Sequence, residues 1–400
     1  MFLANGDYDD SINKINKVNS KDTVEGFSDD LPNFKLYGVG NAPEISDNEI
    51  KNAQKLLSEK GNDLDIQKSL EIGSLFHKKI RSIIRPHLKP GLKLSELAEL
   101  IEGNCKELTK GIGINNGIGF PSSLSVNECA AHFTPSKAHD ITLDEKSITK
   151  IDFGVEINGW ITDCAFTIAF NDHYDTLLKA VKEATDHGIK TVAMDQDIGE
   201  WGEGIREIME SYEVKIGDDI HKIKSVKNLG GHNILQGKIH GGTFLPSFNH
   251  TKGLFAENKR FTENVYAVET FGSTGNEIVS EASNENSIYM KNYRGGESDF
   301  SFKTRITNDY IKIFDILNNK FGTMPFCDRY LETMSVFKDL NLDNPKKLTN
   351  FKKNIMSYFN NNNIIKEFPP LYTNGMTAQY EHTLFLSEDK KIVFSSSTDY

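Results

Sequence analysis

Cysteine is scarce in this sequence, and the cysteines present are far apart. Four occur in 400 residues, with no Cys-x-x-Cys pair among them: Cys105, Cys129, Cys164 and Cys327. A disulfide framework or a thiolate metal site is therefore not expected. Long apolar runs are also lacking, which argues against a membrane span. The first residues, MFLANGDYDD, have neither the basic nor the apolar region of a secretion signal. These absences predict a cytoplasmic protein.

Positive charge is in the minority. The chain has 46 Lys and Arg residues against 57 Asp and Glu residues, and its formal net charge is −11. Because binding to a nucleic acid backbone needs clustered cations, we expect no specific nucleic acid partner. Residues 1–45 are polar and acidic and have no sustained periodicity, which predicts a disordered leader before a folded domain at 46–400.

Hydrophobic periodicity predicts the helices and strands of the folded domain. Apolar residues recur at helical spacing in three segments: 46–85, 97–108 and 175–211. The first of these stops at a proline, which cannot continue a helix. Strand and turn patterns occur beyond Gly117, near Val226 and near Val265. Helical spacing returns over 293–368, which we interpret as a helical insertion into the domain.

The segment KIDFGVEINGWITDC, residues 150–164, resembles a β-hairpin that carries acids at unusual positions. Its Asn-Gly dipeptide favours a two-residue type I′ turn. Such a turn would place Ile157 opposite Trp160. It would also bring Asp152 and Asp163 onto one face, with backbones roughly 7–8 Å apart. Two buried carboxylates need a cation or a shared proton. The hairpin alone leaves open that both are exposed strand acids.

Four further residues are candidates for a site. His232 and His240 lie in glycine-rich sequence with an even spacing, which would put both on one side of an extended segment. Read singly, each is more typical of a structural histidine than of a catalytic one. Glu269 and Glu381 lie in apolar strand patterns, where a buried glutamate needs a strong partner.

The combined set of acids and imidazole suggests hydrolytic metal chemistry. Four carboxylates carry a charge of −4, which two divalent ions would neutralise and one Zn²⁺ would not. Two ions about 3.5–4 Å apart can share a water, lower its pKa towards about 7 and polarise a carbonyl. The residues therefore predict a two-metal hydrolytic centre.

An ordered set of motifs resembles the type 2 methionine aminopeptidases from about residue 46 to the end. The motifs are NECAAH (127–132), KIDFG (150–154), DCAFT (163–167), YDTLLKAVK (174–182), ETFGSTG (269–275), TAQYEHT (377–383) and the final Asp-Tyr. The resemblance implies an α+β pita-bread fold, in which a curved antiparallel sheet with outer helices holds the metals in its concavity. The helical 293–368 block, between Glu269 and Glu381, matches the winged-helix-like insertion of type 2 members.

The resemblance also implies a role for each metal ligand. Asp152 would bind one ion, and His232 and Glu269 would bind the other. Asp163 and Glu381 would bridge the two ions, which could be Mn, Fe, Co or Zn. Glu269 would in addition pass a proton to the leaving amine.

Further residues are implied to meet the substrate, the N-terminal methionine of a nascent polypeptide with a small, uncharged second residue. His132 and His240 would support the reacting peptide, and fumagillin-type epoxides would alkylate His132. Phe120, Ile239 and Phe368 would form the methionine pocket. Transient proximity to the ribosome is also implied, although the long polybasic leader of many members is missing here, and we expect a monomer.

The sequence departs from the family near this pocket. Ile288 stands where members commonly have histidine, and Phe368 stands where they often have tyrosine. Two other functions stay open: an Xaa-Pro dipeptidase-like metallohydrolase, which uses the same ligand types, and a non-catalytic pita-bread binding protein. The insertion and His132 argue against the first alternative, and the complete ligand set argues against the second.

Overall fold

The computed structural model describes residues 35–111, 116–136, 139–250, 259–282, 287–292, 308–332 and 345–400. Its helices are α1 (Asp47–Lys60), α2 (Ile66–Ile84), α3 (Leu94–Thr109), α4 (Asp175–Thr191), α5 (Ile198–Glu210), α6 (Asn308–Phe321), α7 (Asp328–Glu332) and α8 (Pro345–Asn361). Its strands are β1 (Asn116–Val126), β2 (Cys129–Ala131), β3 (Ile148–Ile157), β4 (Trp160–Ala169), β5 (Glu213–Ile216), β6 (Asp219–Lys222), β7 (Lys224–Ser225), β8 (Gly230–Ile234), β9 (Phe244–Pro246), β10 (Asn264–Ser273), β11 (Ser280–Glu281), β12 (Ile288–Lys291), β13 (Phe326–Cys327), β14 (Ile365–Phe368), β15 (Leu371–Tyr372), β16 (Thr377–Leu386) and β17 (Lys391–Val393). The helices and strands confirm the predicted α+β class.

Local sequence explains where the first helices begin and end. Helix α1 starts with a capping box, in which Ser46 and Glu49 bond to each other's backbone N–H. Helix α2 starts at the N-cap Asp65, buries an apolar stripe that includes Phe76, and ends one residue before Arg85. None of the helices in the described part of the chain is long and apolar enough to span a membrane.

The end of the predicted leader lies on the folded domain. The Tyr37 N–H donates to the Ala169 carbonyl at 3.0 Å, and the Gly40 N–H donates to the Asp399 carbonyl at 2.7 Å. Tyr37 and Gly40, both within the predicted 1–45 leader, therefore form backbone contacts with β4 and with the C-terminal segment. The first part of that leader, 1–34, lies outside the described residues.

Two antiparallel sheets carry the site. One has the strand order β1-β3-β4, and the other has the order β17-β16-β10-β8-β9, with β7 also paired to β10. Helices α2 and α3 pack on the first sheet, and α4 packs on β10 and β16. Residues Ile157 and Trp160 oppose each other across the β3–β4 turn, so Asp152 opposes Ala165 and Gly154 opposes Asp163. This is the register that the Asn-Gly turn predicted.

Threonine side chains join the two sheets. The Thr383 Oγ1 accepts from the Asp163 N–H at 2.8 Å and donates to the Asp163 carbonyl at 2.6 Å. Reciprocally, the Thr167 Oγ1 accepts from the Gln379 N–H at 2.8 Å and donates to the Gln379 carbonyl at 2.7 Å. Strands β4 and β16, both fully described, share no backbone ladder. Hydroxyl groups thus complete the backbone hydrogen bonds at their junction.

The predicted insertion, 293–368, has its own apolar cluster. Residues 293–307 and 333–344 lie outside the described part. In the remainder, α6, α8 and the small sheet β13-β12-β14 enclose this cluster, which contains Ile313, Leu317, Phe321, Ile355 and Phe359. The described part of the insertion is therefore helical with an additional small sheet, and its last strand, β14, returns to the main cavity.

Candidate metal centre and active site

A cavity lies between the two sheets. Every residue that the sequence placed at the site lines it: Phe120, His132, Asp152, Asp163, His232, Ile239, His240, Glu269, Phe368 and Glu381. Residues that were not predicted as site residues also contribute to the wall: Ser123, Ile288, Met290 and Pro325. Charged groups and apolar groups therefore share one cavity.

The carboxylates come from both sheets. Asp152 and Asp163 project from β3 and β4, while Glu269 and Glu381 are direct cross-strand partners on β10 and β16. Cross-strand partners share a face, which explains why four acids meet at one place. His232 joins them from β8, opposite Ala267 of β10.

Candidate ligand atoms form two groups with a shared member. Asp163, His232 and Glu381 offer atoms within 4.8 Å of one another, and so do Asp152, Glu269 and Glu381. Glu381 thus stands between the groups, as a bridging ligand would. Glu269 is grouped with Asp152, whereas the family resemblance implied a pairing with His232. The Gln379 Nε2 donates to both Asp152 Oδ2 (3.3 Å) and Glu269 Oε1 (2.5 Å), which holds these two acids together.

The acids fit divalent cations because the protein alone leaves them unsatisfied. Asp152 Oδ1, Asp163 Oδ1 and both carboxylate oxygens of Glu381 are buried without a hydrogen-bond partner among the described residues. Burial, followed by the neighbouring acids, raises the pKa of Glu381, Asp152 and Glu269 well above the ordinary range. A hard, oxygen-rich donor set of this kind matches divalent ions.

His232 has the surroundings of a metal ligand. Its Nδ1 lies 3.3 Å from the Asn233 carbonyl, which can only accept, so Nδ1 carries the proton. With Nδ1 as the donor to that carbonyl, Nε2 is the nitrogen that faces the Asp163 Oδ2, at 3.6 Å. A hydrogen bond on the far nitrogen is the usual way in which a protein orients a histidine ligand.

His240 lies beside His232, but the two histidines do not belong to one extended segment as predicted. The two rings meet edge to face, with centroids 4.4 Å apart. The prediction of one extended segment through both is wrong, because β8 ends at Ile234 and the chain reverses at the Leu235–Lys238 bridge. The Gly241 N–H then donates to the Asn233 carbonyl, which brings His240 back beside its neighbour.

His132 occupies an unusual backbone conformation, with φ = 69°. Its N–H donates to Ser123 Oγ at 3.0 Å, and its ring Nδ1 donates to the Pro369 carbonyl at 3.3 Å. Burial lowers its pKa to about 4. The imidazole is therefore neutral at physiological pH, and its Nε2 is an acceptor. Left-handed backbone at a non-glycine residue costs energy and is frequent at functional sites.

A buried ion pair connects the insertion to the chain around His132. Arg329 of α7 bonds to Glu102 of α3 through Nη1 (2.5 Å) and Nη2 (2.9 Å). It also donates to the Pro135 carbonyl and to Thr134 Oγ1, both at 3.1 Å. Glu102 in turn accepts from the Ser122 N–H at 3.0 Å. We call this set the Arg329 clamp.

Sequence reasoning missed Gln379 and the Arg329 clamp. Gln379 lies two residues before Glu381, so strand alternation places both on one face and could have identified it. Arg329 and Glu102 are separated by 227 positions. No local pattern connects them.

The apolar end of the cavity has aromatic and aliphatic walls. Phe368 contacts His132 and His240 at centroid distances of 5.8 and 5.9 Å. Ile288 is the cross-strand partner of Phe368, so both departures from the family pattern stand side by side in the wall. Phe120 and Ile239 belong to one further apolar cluster that includes Met290.

The chain is similar to known peptidases over most of its length. Residues 65–292 match metallopeptidase family M24. Methionine aminopeptidase 2 of Komagataella phaffii is 36% identical over 379 residues, covering 92% of this chain and 80% of that protein. The enzyme of the same name from Sordaria macrospora is 37% identical over 372 residues, covering 91% and 79%.

A solved structure agrees in fold. A thermophilic Arx1 superposes with a TM-score of 0.63 at 12% identity, over 84% of this chain and 92% of that one. At this identity the likeness concerns the fold alone. Together with the family match, it confirms the predicted pita-bread fold. The chain therefore belongs to metallopeptidase family M24 and, within it, to the type 2 methionine aminopeptidases.

Proposed function

We propose that this methionine aminopeptidase removes the initiator methionine from nascent polypeptides whose second residue is small and uncharged. The observation that carries the proposal is the convergence of four carboxylates and an imidazole, with unsatisfied buried oxygens, beside an apolar cavity wall. It acts as a monomer in the cytoplasm, in transient proximity to the ribosome. All four cysteines are buried and no disulfide joins them, which supports a reducing compartment.

Two divalent ions of Mn, Fe, Co or Zn complete the proposed centre. Asp152 would hold one ion, His232 and Glu269 the other, and Asp163 and Glu381 would contact both. When bound, such a pair lowers the pKa of a water and polarises a carbonyl oxygen.

The chain's own residues would then handle protons and orientation. Glu269, held by Gln379 at 2.5 Å, would take a proton from the attacking water and pass it to the leaving amine. Neutral His132 and its neighbour His240 would orient the scissile peptide and meet charge that develops on its oxygen. The free Nε2 of His132 also makes it the proposed nucleophile towards fumagillin-type epoxides.

The cavity walls would select the substrate. Phe120, Ile239 and Phe368 offer an apolar surface suited to a thioether side chain. The ring of Phe368 lies within 6 Å of the rings of His132 and His240 at one side. This crowding supports a preference for a small second residue.

A metal-reconstituted assay over a Met-Xaa-Ser peptide panel tests the proposal. We expect cleavage with Mn²⁺ or Co²⁺, a loss of cleavage on chelation, and a fall in kcat/KM as Xaa grows. An Xaa-Pro dipeptide serves as the control for the dipeptidase alternative. Full turnover by metal-free protein, or faster cleavage of the Xaa-Pro dipeptide, would overturn the proposal.

A further inference from the structure

The cavity wall formed by β12 and β14 carries a cation at its outer end. In this small antiparallel sheet Ile288 opposes Phe368, and Met290 opposes Lys366. Residues two apart on a strand, and their cross-strand partners, share a face. Three of these four residues line the cavity. The fourth, Lys366, therefore faces the cavity side of the same wall, two residues before Phe368 on β14 and opposite Met290.

The Lys366 side chain folds back towards the site. Its Nζ lies 4.6 Å from the centre of the Phe368 ring, and Phe368 contacts both His132 and His240. Its charge reaches His132, whose pKa is lowered first by burial and then by this lysine.

Lys366 is available to a ligand. The residue is exposed. Within the described ranges, no carboxylate oxygen lies within 4 Å of its Nζ. The cavity wall itself contains acids and imidazoles but neither Lys nor Arg. Lys366 is thus a cation next to a site whose own charged residues are acids.

We propose that Lys366, stacked on Phe368, is a subsite for a carboxylate on the third residue of the substrate. This inference rests on the proposed function, in which His132 and His240 flank the scissile peptide. An extended chain advances about 3.3 Å per residue. The third residue therefore lies about two such steps, roughly 7 Å, beyond the scissile carbonyl. The Lys366 Nζ lies 4.6 Å from the centre of Phe368, the ring that contacts both histidines.

The carboxylate could have two sources. One is an acidic side chain at the third position of a longer chain, and the other is the C-terminal carboxylate of a tripeptide. An exposed ion pair of this kind changes binding by about two- to five-fold. Because the pair would be equally strong in the bound substrate and the transition state, the gain should appear in KM and leave kcat unchanged.

The test compares matched peptides on the metal-reconstituted full chain. One pair differs only in the charge of the third side chain: Met-Ala-Asp-Gly-Gly amide and Met-Ala-Asn-Gly-Gly amide. The other pair differs only in the charge of the C-terminus: Met-Ala-Ser acid and Met-Ala-Ser amide. Wild type should prefer the charged member of at least one pair by about two- to five-fold in KM. Lys366→Gln should abolish the preference, and Lys366→Glu should reverse it. Lys215→Glu, on an exposed strand that does not line the cavity, should leave it intact.

Cleavage of the neutral amide peptide reports separately on the proposed function, because it needs no charge at Lys366. Binding of peptides with a reduced scissile bond, Asp against Asn at the third position, tests the subsite without turnover. Equal affinities for both members of every pair in wild type would overturn the subsite. An equal loss for all peptides in Lys366→Gln would also overturn it, since Lys366 would then only support Phe368.

Discussion

The surroundings of Glu269, the proposed proton carrier, shift its pKa in opposite directions. Burial, followed by the charges of Asp152 and Asp163, raises its pKa, while the Gln379 amide opposes this rise through a hydrogen bond. A raised pKa favours the uptake of a proton by a carboxyl, which is what a general base requires. Gln379 lies two residues before Glu381 on β16, so it faces the same side as that acid. Its amide also donates to Asp152.

Replacement of Glu269 by Gln should lower kcat by about 10²–10⁴. The amide retains the shape of the side chain but cannot carry the proton. Steady-state kinetics with metal analysis of the same sample checks this, and Glu281→Gln, on the exposed strand β11, is the matched control. A near-normal kcat in the metal-loaded variant would contradict the proposed role.

Metal affinity should fall as the pH falls. The pKa of Glu381, Asp152 and Glu269 is raised by burial first and by their mutual repulsion second, so the metal-free fold binds protons that the ions must displace. Calorimetric titration with Mn²⁺ in buffers of different ionisation enthalpy measures both the affinity and the protons released. The expected results are weaker binding at about pH 6 than at about pH 8 and net proton release.

The same shifts predict how the stability of the metal-free protein depends on pH. A raised carboxyl pKa contributes stability that is complete below the unfolded value of about 4 and is lost as the pH rises through the folded value. His132 acts in the opposite sense. Its pKa of about 4 contributes stability that is complete above the unfolded value of about 6.5 and is lost as the pH falls towards 4. A fall in stability with rising pH therefore belongs to the acids, and bound metal should remove it.

At the scale of elements, the insertion reaches the active site through two different contacts. Strand β14 supplies Phe368 to the cavity wall, and helix α7 supplies Arg329 to the chain just after His132. Because His132 holds a left-handed backbone conformation, its neighbours must fix it in place. We expect the Arg329 clamp to contribute to this from outside the cavity, through its bonds to Thr134 and Pro135.

Arg329→Gln should therefore lower kcat/KM by about ten-fold, the scale of coupling between residues in one network. The loss should vanish in a His132→Ala background, because Arg329 acts through His132. Arg206→Gln is a suitable control, since Arg206 also bonds to two acids, Glu203 and Glu210, on helix α5. Additive losses in the double variant would mean that the clamp only stabilises the fold.

The elements also show what sequence can predict. The β3–β4 register followed from an Asn-Gly turn and a two-residue side-chain period, both of which are local. The reversal between His232 and His240 was missed, because an even spacing in glycine-rich sequence fits a turn as well as a strand. The pairing of Glu269 with Glu381 depends on strands separated by the whole insertion, so the sequence predicted that both acids belong to one centre but not that they are cross-strand partners.

Across the whole molecule, the C-terminal segment closes the back of the metal centre. Asp399 forms a buried ion pair with Arg81 of α2, at 2.8 Å to Nε and 2.8 Å to Nη2. The Tyr400 hydroxyl lies 2.6 Å from Cys164 Sγ, and its ring stacks on His382. Cys164 and His382 are the chain neighbours of Asp163 and Glu381. The C-terminal residues thus support two proposed ligands from behind.

Asp399→Asn should destabilise the protein by about 3–5 kcal/mol, because it leaves the Arg81 guanidinium buried without its counter-charge. Urea denaturation of the metal-free protein measures this loss. Glu59→Gln breaks the exposed Lys55–Glu59 pair, 3.7 Å apart, and should cost less than about 1 kcal/mol. Similar losses of unfolding free energy in the two variants would contradict a larger contribution from the buried pair.

The threonine bridges between β4 and β16 couple ion binding to backbone dynamics. Where a continuous ladder would hold two sheets together regardless of their ligands, here two threonine hydroxyls complete the backbone hydrogen bonds, and four acids crowd the same junction. Ion binding and local separation of β4 from β16 are then coupled, because the ions bind groups from both sheets and so favour the closed form. The amide protons of Asp163 and Gln379 should accordingly exchange with solvent faster when the metals are removed, so that the occupancy of the centre can be read from the backbone itself.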